Sequence, residues 1–162
     1  MDFSQIPWKD VFTISAAAVG AVLGVMNTWN SLNLRRVRLR VLPAHAIVPN
    51  IEQPMFSIEV TNLSSFPLTV KEVGFTLGGN RADRGSRAVV PMPIVPDGKP
   101  WPRRLEARES VSLLLPVSSL YGNRAGMGRA YVQTACGELR YGSSPALKQV
   151  SDAVRKGEPL FT

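Results

Sequence analysis

From Val11 to Leu34 the chain carries no charged side chain, and a tryptophan stands near each end of that gap, at Trp8 and Trp29. On a helix the 21 residues separating the two tryptophans rise about 31 Å. The hydrocarbon core of a bilayer is roughly 30 Å thick. An uncharged helix of that length with aromatic residues at both boundaries meets the requirement for crossing a membrane once. The pattern predicts residues 1–10 as an N-terminal flank and 11–34 as a transmembrane helix with its linker.

Charge sets the expected orientation. Side chains before the span sum to −1 and those after it to +8, which together make the net +7. Arg35, Arg36, Arg38 and Arg40 follow the span directly. Positive flanks remain cytoplasmic on insertion, so the N-terminus is expected outside and the domain in the cytoplasm, at the inner membrane. A cleaved signal would need a basic stretch before the apolar run and small residues after it. Here Lys9 is paired with Asp10, and Asn27, Thr28 and Trp29 stand where cleavage would fall. A buried soluble helix is the other alternative, because the strongly apolar part ends near Met26. Cys136 is the sole cysteine, so the domain has no intrachain disulfide on which to depend.

Within the span, Gly20 and Gly24 form a G-x-x-x-G pair, and Ala16 extends the same face. Small residues four apart let two helix backbones approach closely, which makes this face the expected site of self-association.

The remaining 128 residues are rich in strand signals. Arg36 to Val41 alternates strictly, placing Val37, Leu39 and Val41 on one face and Arg36, Arg38 and Arg40 on the other, a ridge expected to contact anionic headgroups. Phe56, Ile58 and Val60 mark a second strand, and Asn62 to Pro67 reads as a turn. The apolar phase of Leu68 and Val70 slips before Val73, Phe75 and Leu77, which predicts a bulge near Lys71 or Glu72. Arg87 to Val90 is a short candidate strand, and Val111, Leu113 and Leu115 mark another that ends at Pro116. Gly128–Cys136 and Glu138–Tyr141 read as a hairpin. Ser144 followed by Pro145 starts a helix with Leu147, Val150 and Val154 on one side and a stop at Gly157. The expected architecture is mainly β: a transmembrane helix, an antiparallel sandwich over 35–142, and an amphipathic helix and tail over 143–162.

The runs FSIEVTNLSSFPLTVKEVGFTL and AYVQTACGELRYG resemble strand pairs of immunoglobulin-like or fibronectin type III-like β-sandwiches. The whole chain is similar to small, largely uncharacterised bacterial and prophage proteins that join one membrane helix to such a domain. The likeness spans most of residues 35–142. The antibody Cys…Trp…Cys spacing is absent; Tyr131 occupies a corner-tyrosine position, with Gln133 where the second cysteine would stand.

Catalytic chemistry finds little footing. His45 is the sole histidine, which leaves Cys/His metal sites and nucleophile triads short of partners, and the acidic residues are dispersed. Tyr121 to Gly128 is glycine-rich but lacks the Gly-Lys-Ser/Thr ending of a phosphate loop. No cofactor or metal is implied. The proline-dense segment around Trp101, Arg103 and Arg104 is the expected contact for a protein partner, because Trp and Arg make strong anchors. Its alternative is a stiff cover over a sheet edge. Arginine outnumbers lysine 14 to 5, with Arg81, Arg84 and Arg87 in one loop. This basic excess suits anionic lipid first and nucleic acid second, since RNA-binding and helix-turn-helix signatures are absent.

The sequence reading is therefore a non-enzymatic, membrane-anchored binding or scaffolding module. A phage-related or defence protein acting at the inner membrane and a membrane-tethered nucleic-acid binder are the alternatives.

Overall fold

The computed structural model describes residues 8–49, 51, 53–77, 86–121 and 126–158. The chain divides into two compact units, Met1–Arg36 and Val37–Thr162. The first is built on helix α1, Trp8–Leu34, which begins three residues before the expected span and has no buried residue. It is long and apolar enough to cross a membrane. Two of its hydroxyls bond back to its own backbone, Thr13 Oγ1 to the Lys9 carbonyl at 2.8 Å and Thr28 Oγ1 to that of Gly24 at 2.9 Å. Such internal pairing leaves fewer polar groups to desolvate.

The second unit contains β1 (Leu39–Ala46), β2 (Met55–Asn62), β3 (Leu68–Leu77), β4 (Arg87–Val89), β5 (Arg103–Leu105), β6 (Ser110–Pro116), β7 (Met127–Thr134), β8 (Leu139–Gly142) and helix α2 (Pro145–Lys156). All pairing is antiparallel. One sheet runs β1-β2-β6 and the other β4-β3-β7-β8, with β5 also paired to β3. A single cluster of buried side chains draws on both sheets and on α2. Phe56 of β2 meets Phe75 of β3 across the two sheets, ring centroids 6.1 Å apart. Ile58, Val60 and Leu113 face Val70, Val73 and Val132, all fully buried. Each such side chain contributes about 1.5–3 kcal/mol on leaving water.

The alternating patterns became strands because one face of each could enter this core. The bulge expected near Lys71 is present, with Val70 opposite Thr134 and Glu72 opposite Gln133, and a second irregularity lies between Phe75 and Leu77. α2 starts as its sequence predicts. Ser144 accepts the Leu147 N–H at 3.1 Å, and Leu147, Val150 and Val154 complete the core. Gly157 ends the helix at φ 71°, the left-handed conformation that favours glycine.

Three expectations need correction. The first strand begins at Leu39 and not at Arg36. The proline-dense segment contains strand β5, and Ile94 pairs with Leu114 of β6 through bonds of 2.9 and 2.8 Å, so it is only partly loop. Tyr131 does not act as a corner tyrosine, because its hydroxyl donates to the Glu72 carboxylate on β3.

Candidate functional site

The expected span contact lies wholly on α1. Ala16, Gly20 and Gly24 are exposed there, and apart from the adjoining backbone of α1 itself nothing lies within 4 Å of a β-carbon built on either glycine. That leaves the groove around the glycines open to a second helix.

The arginine series is divided by the structure. Arg35 and Arg36 close the first unit, their N–H groups bonded to the Leu32 and Asn33 carbonyls at 3.3 and 3.4 Å. Arg38 and Arg40 are exposed on β1 and its lead-in, while Val37 and Leu39 are half-buried and Val41 is buried. The alternation thus holds for Arg38 and Arg40; Arg36 precedes the strand. The lead-in is tied down on two sides. Arg38 N–H donates to Ser64 Oγ at 2.8 Å, the Leu63 N–H donates to the Arg38 carbonyl at 2.8 Å, and Arg140 donates to the Val37 carbonyl at 3.1 Å.

The Trp101 region is not the open docking loop that its sequence suggests. Trp101 is half-buried against the core, and its bond to Pro102 is cis. Arg103 is only 6% exposed: its guanidinium donates to Asp97 and, at 2.8 Å, to Glu109. Burial alone would lower the Arg103 pKa, but the two carboxylates outweigh it and hold it above the ordinary value. The same bonds act in reverse on the acids. Partial burial pushes Asp97 up, yet bonds from Arg103 and the Lys99 N–H bring it below its usual value. The Glu106 N–H and then Arg103 lower Glu109. Arg103 therefore fastens Asp97 and β5 to the start of β6. Arg104 is exposed and paired with Glu106 at 3.1 Å.

The structure keeps His45 and Cys136 apart. His45 lies toward the end of β1, its Nε2 3.2 Å from Gln149 Oε1 and its ring edge-on to Phe56. Cys136 is exposed in the β7–β8 turn, at the opposite end of the sheets. Among the described residues, no group of three or more His, Cys, Asp or Glu is placed to hold a metal ion. Arg81 and Arg84 lie outside the described residues, as do 122–125 of the glycine-rich loop. Arg87 sits over the Tyr131 ring, 5.5 Å from its centroid.

Sequence reasoning missed two features. Asn62 reads as a turn residue but is fully buried, donating to the carbonyls of Phe66, Leu105 and Glu106 and accepting from the Ser64 N–H. A groove of about 410 Å³ between β4 and β6 exposes Val89, Met92 and Ile94; the isolated apolar residues of the proline segment were its only signal. Compared with models of protein families and with curated proteins, the chain matches none.

Proposed function

We propose that this chain is a single-pass membrane protein, N-terminus outside, whose cytoplasmic immunoglobulin-like domain acts as a non-enzymatic binding or scaffolding module. The observation that carries the reading is α1 itself: 27 residues, free of charge after Asp10, with no side chain buried in its own protein. An apolar helix left bare in water exposes far more than a scattered surface residue does, and a bilayer is the simplest cover for it. The run of arginines that follows supports the cytoplasmic placement.

Strand order supports the immunoglobulin-like reading. With β1, β2, β3, β6, β7 and β8 taken as A, B, C, E, F and G, one sheet is A-B-E and the other holds C, F and G. β4 adds an edge strand beside C. Pairing of two copies through Ala16, Gly20 and Gly24 is part of the proposal, supported by the open space at both glycines. Arg35, Arg36, Arg38 and Arg40 are the proposed headgroup contacts.

The test is topological. A reporter active only in the cytoplasm, fused after Thr162, is expected to be active, and one active only outside is expected to be silent. The reverse result would refute the orientation. Extraction of the full chain by alkaline carbonate would refute the span itself.

A further inference from the structure

We infer that one end of the domain is a built headgroup-contacting surface, with Arg108 as its principal lipid ligand. The inference rests on α1 spanning a membrane, and it adds Arg108, which lies 74 positions beyond Leu34 at the end of the span.

The topology brings three connections to the end of the sheets where β1 begins. Leu39 pairs with Asn62 at the end of β2, Leu68 with Leu105 at the end of β5, and Gln133 with Leu139 at the start of β8. The β2–β3, β5–β6 and β7–β8 connections therefore converge where the chain enters the domain. Leu34 ends α1, and Val37 is the first residue of the second unit. Three residues of chain span about 10 Å at most, and the Debye length at physiological salt is about 8 Å. The chain that leaves α1 therefore enters the domain at this end, beside Arg38, and an anionic surface attracts basic groups that come within that length.

The chemistry of the end matches an anionic surface. The three glutamates of these connections each pair with an arginine, Glu106 with Arg104, Glu138 with Arg140, and Glu109 with Arg103, which it shares with Asp97. Repulsion from carboxylates is thereby muted, while Arg38 and Arg108 are both exposed. Beside them the β2–β3 connection exposes Leu63 and part of Phe66, the apolar type that enters the headgroup boundary.

Arg108 carries an independent mark. At φ 66° it is the one non-glycine residue with positive φ among the described residues. It is held there by its own N–H bonded to the Asn62 carbonyl at 2.9 Å and by the Glu109 N–H bonded to the Glu106 carbonyl at 3.1 Å. Glycine or asparagine suits such a turn position better than arginine. An exposed arginine kept in a conformation that favours another residue points to work done by its side chain.

The test uses the full chain, with a fluorescent donor on Cys136, its sole cysteine, in the β7–β8 turn of this same end. The protein is reconstituted in phosphatidylcholine vesicles bearing a headgroup-linked acceptor, with and without phosphatidylglycerol. Energy transfer is expected to rise with phosphatidylglycerol and to fall again in high salt. Arg108→Gly and Arg108→Asn are expected to shift the contact equilibrium about fivefold away from the surface, with thermal stability equal to or above wild type. Arg108→Lys keeps the charge and is expected to retain the transfer. Transfer that ignores phosphatidylglycerol, or is equal in all three variants, overturns the inference. So does tighter binding of Arg108 to an added single-stranded oligonucleotide than to the anionic vesicle. Failure of the chain to float with pure phosphatidylcholine vesicles would instead refute the span.

Discussion

The ring of Tyr131 lies over Gly74: its Cε1 is 2.9 Å from where a β-carbon on that glycine would stand. The two residues are paired across β3 and β7, so the missing side chain makes room for a ring that is completely buried on the face away from the core. The same absent β-carbon would meet the Ala88 carbonyl of edge strand β4 at 2.1 Å. Glycine weakens a strand interior in general, and here it is the condition for close approach on two sides. Gly74→Ala is therefore expected to cost about 3 kcal/mol, since backbone of β4 and a buried ring must both move. Denaturant unfolding of the full chain in micelles measures it; a cost below about 0.5 kcal/mol, the range of inert surface changes, would show that the pair yields freely.

The hydroxyl of the same tyrosine makes an alkaline prediction. Burial raises the Tyr131 pKa well above its ordinary value, and the adjacent Glu72 carboxylate raises it further, against the smaller opposing effect of Arg87. A phenol whose folded pKa is raised contributes stability in full below its unfolded pKa of about 10, and that contribution is lost as pH rises beyond it. Wild-type stability is expected to drop above about pH 10 more steeply than that of Tyr131→Phe. At neutral pH the Phe variant should be about 1 kcal/mol less stable, because Glu72 loses its donor. Parallel alkaline profiles for the two proteins would contradict this.

Asn62 joins three segments through one side chain. Its Nδ2 donates to Phe66 at 2.9 Å, Glu106 at 3.0 Å and Leu105 at 3.3 Å, and its Oδ1 accepts from Ser64 at 2.9 Å. Asn62→Ala strands several buried carbonyls and is expected to cost about 3 kcal/mol. Asn62→Asp keeps the shape but has no donor when ionised, so it should be at least as damaging at neutral pH. Acid should ease the aspartate variant by restoring one O–H donor. An aspartate variant as stable as wild type at pH 7 would show that the donors matter little.

The parts of this fold that were legible share one cause. Phe56, Ile58 and Val60, or Leu147, Val150 and Val154, repeat at the period of their element because only one face enters the core. Even the bulge at Lys71 was legible, since an inserted residue shifts the apolar phase. β5 was not, because Arg103 is buried there in ion pairs with Asp97 and Glu109, so its pattern reads as surface. Asn62 was hidden for a related reason: a buried polar hub and an exposed turn use the same residue. The surface argued for Arg108 depends on which loops converge, and that follows from strand pairing across long separations.

Arg103 offers the strongest separation between structural and contact roles. Its side chain is 6% exposed, whereas those of Asp97 and Glu109 are 41% and 30% exposed, so the carboxylates keep part of their hydration. Removing a fully buried partner costs about 3–5 kcal/mol. Solvent access to the acids reduces that here, and Arg103→Leu should cost about 2 kcal/mol. Both acids have depressed pKa values in the fold. Their contribution is therefore present above the unfolded carboxylate values near pH 4 and is lost as pH falls through the lower folded ones. Wild-type stability should hold from neutral pH to about pH 5 and then decline, and Arg103→Leu should show a smaller decline from a lower start. A partner-binding role predicts the opposite pattern, with unfolding unchanged and only association weakened. Thermal melts of the two proteins from pH 7 to pH 3 decide between them.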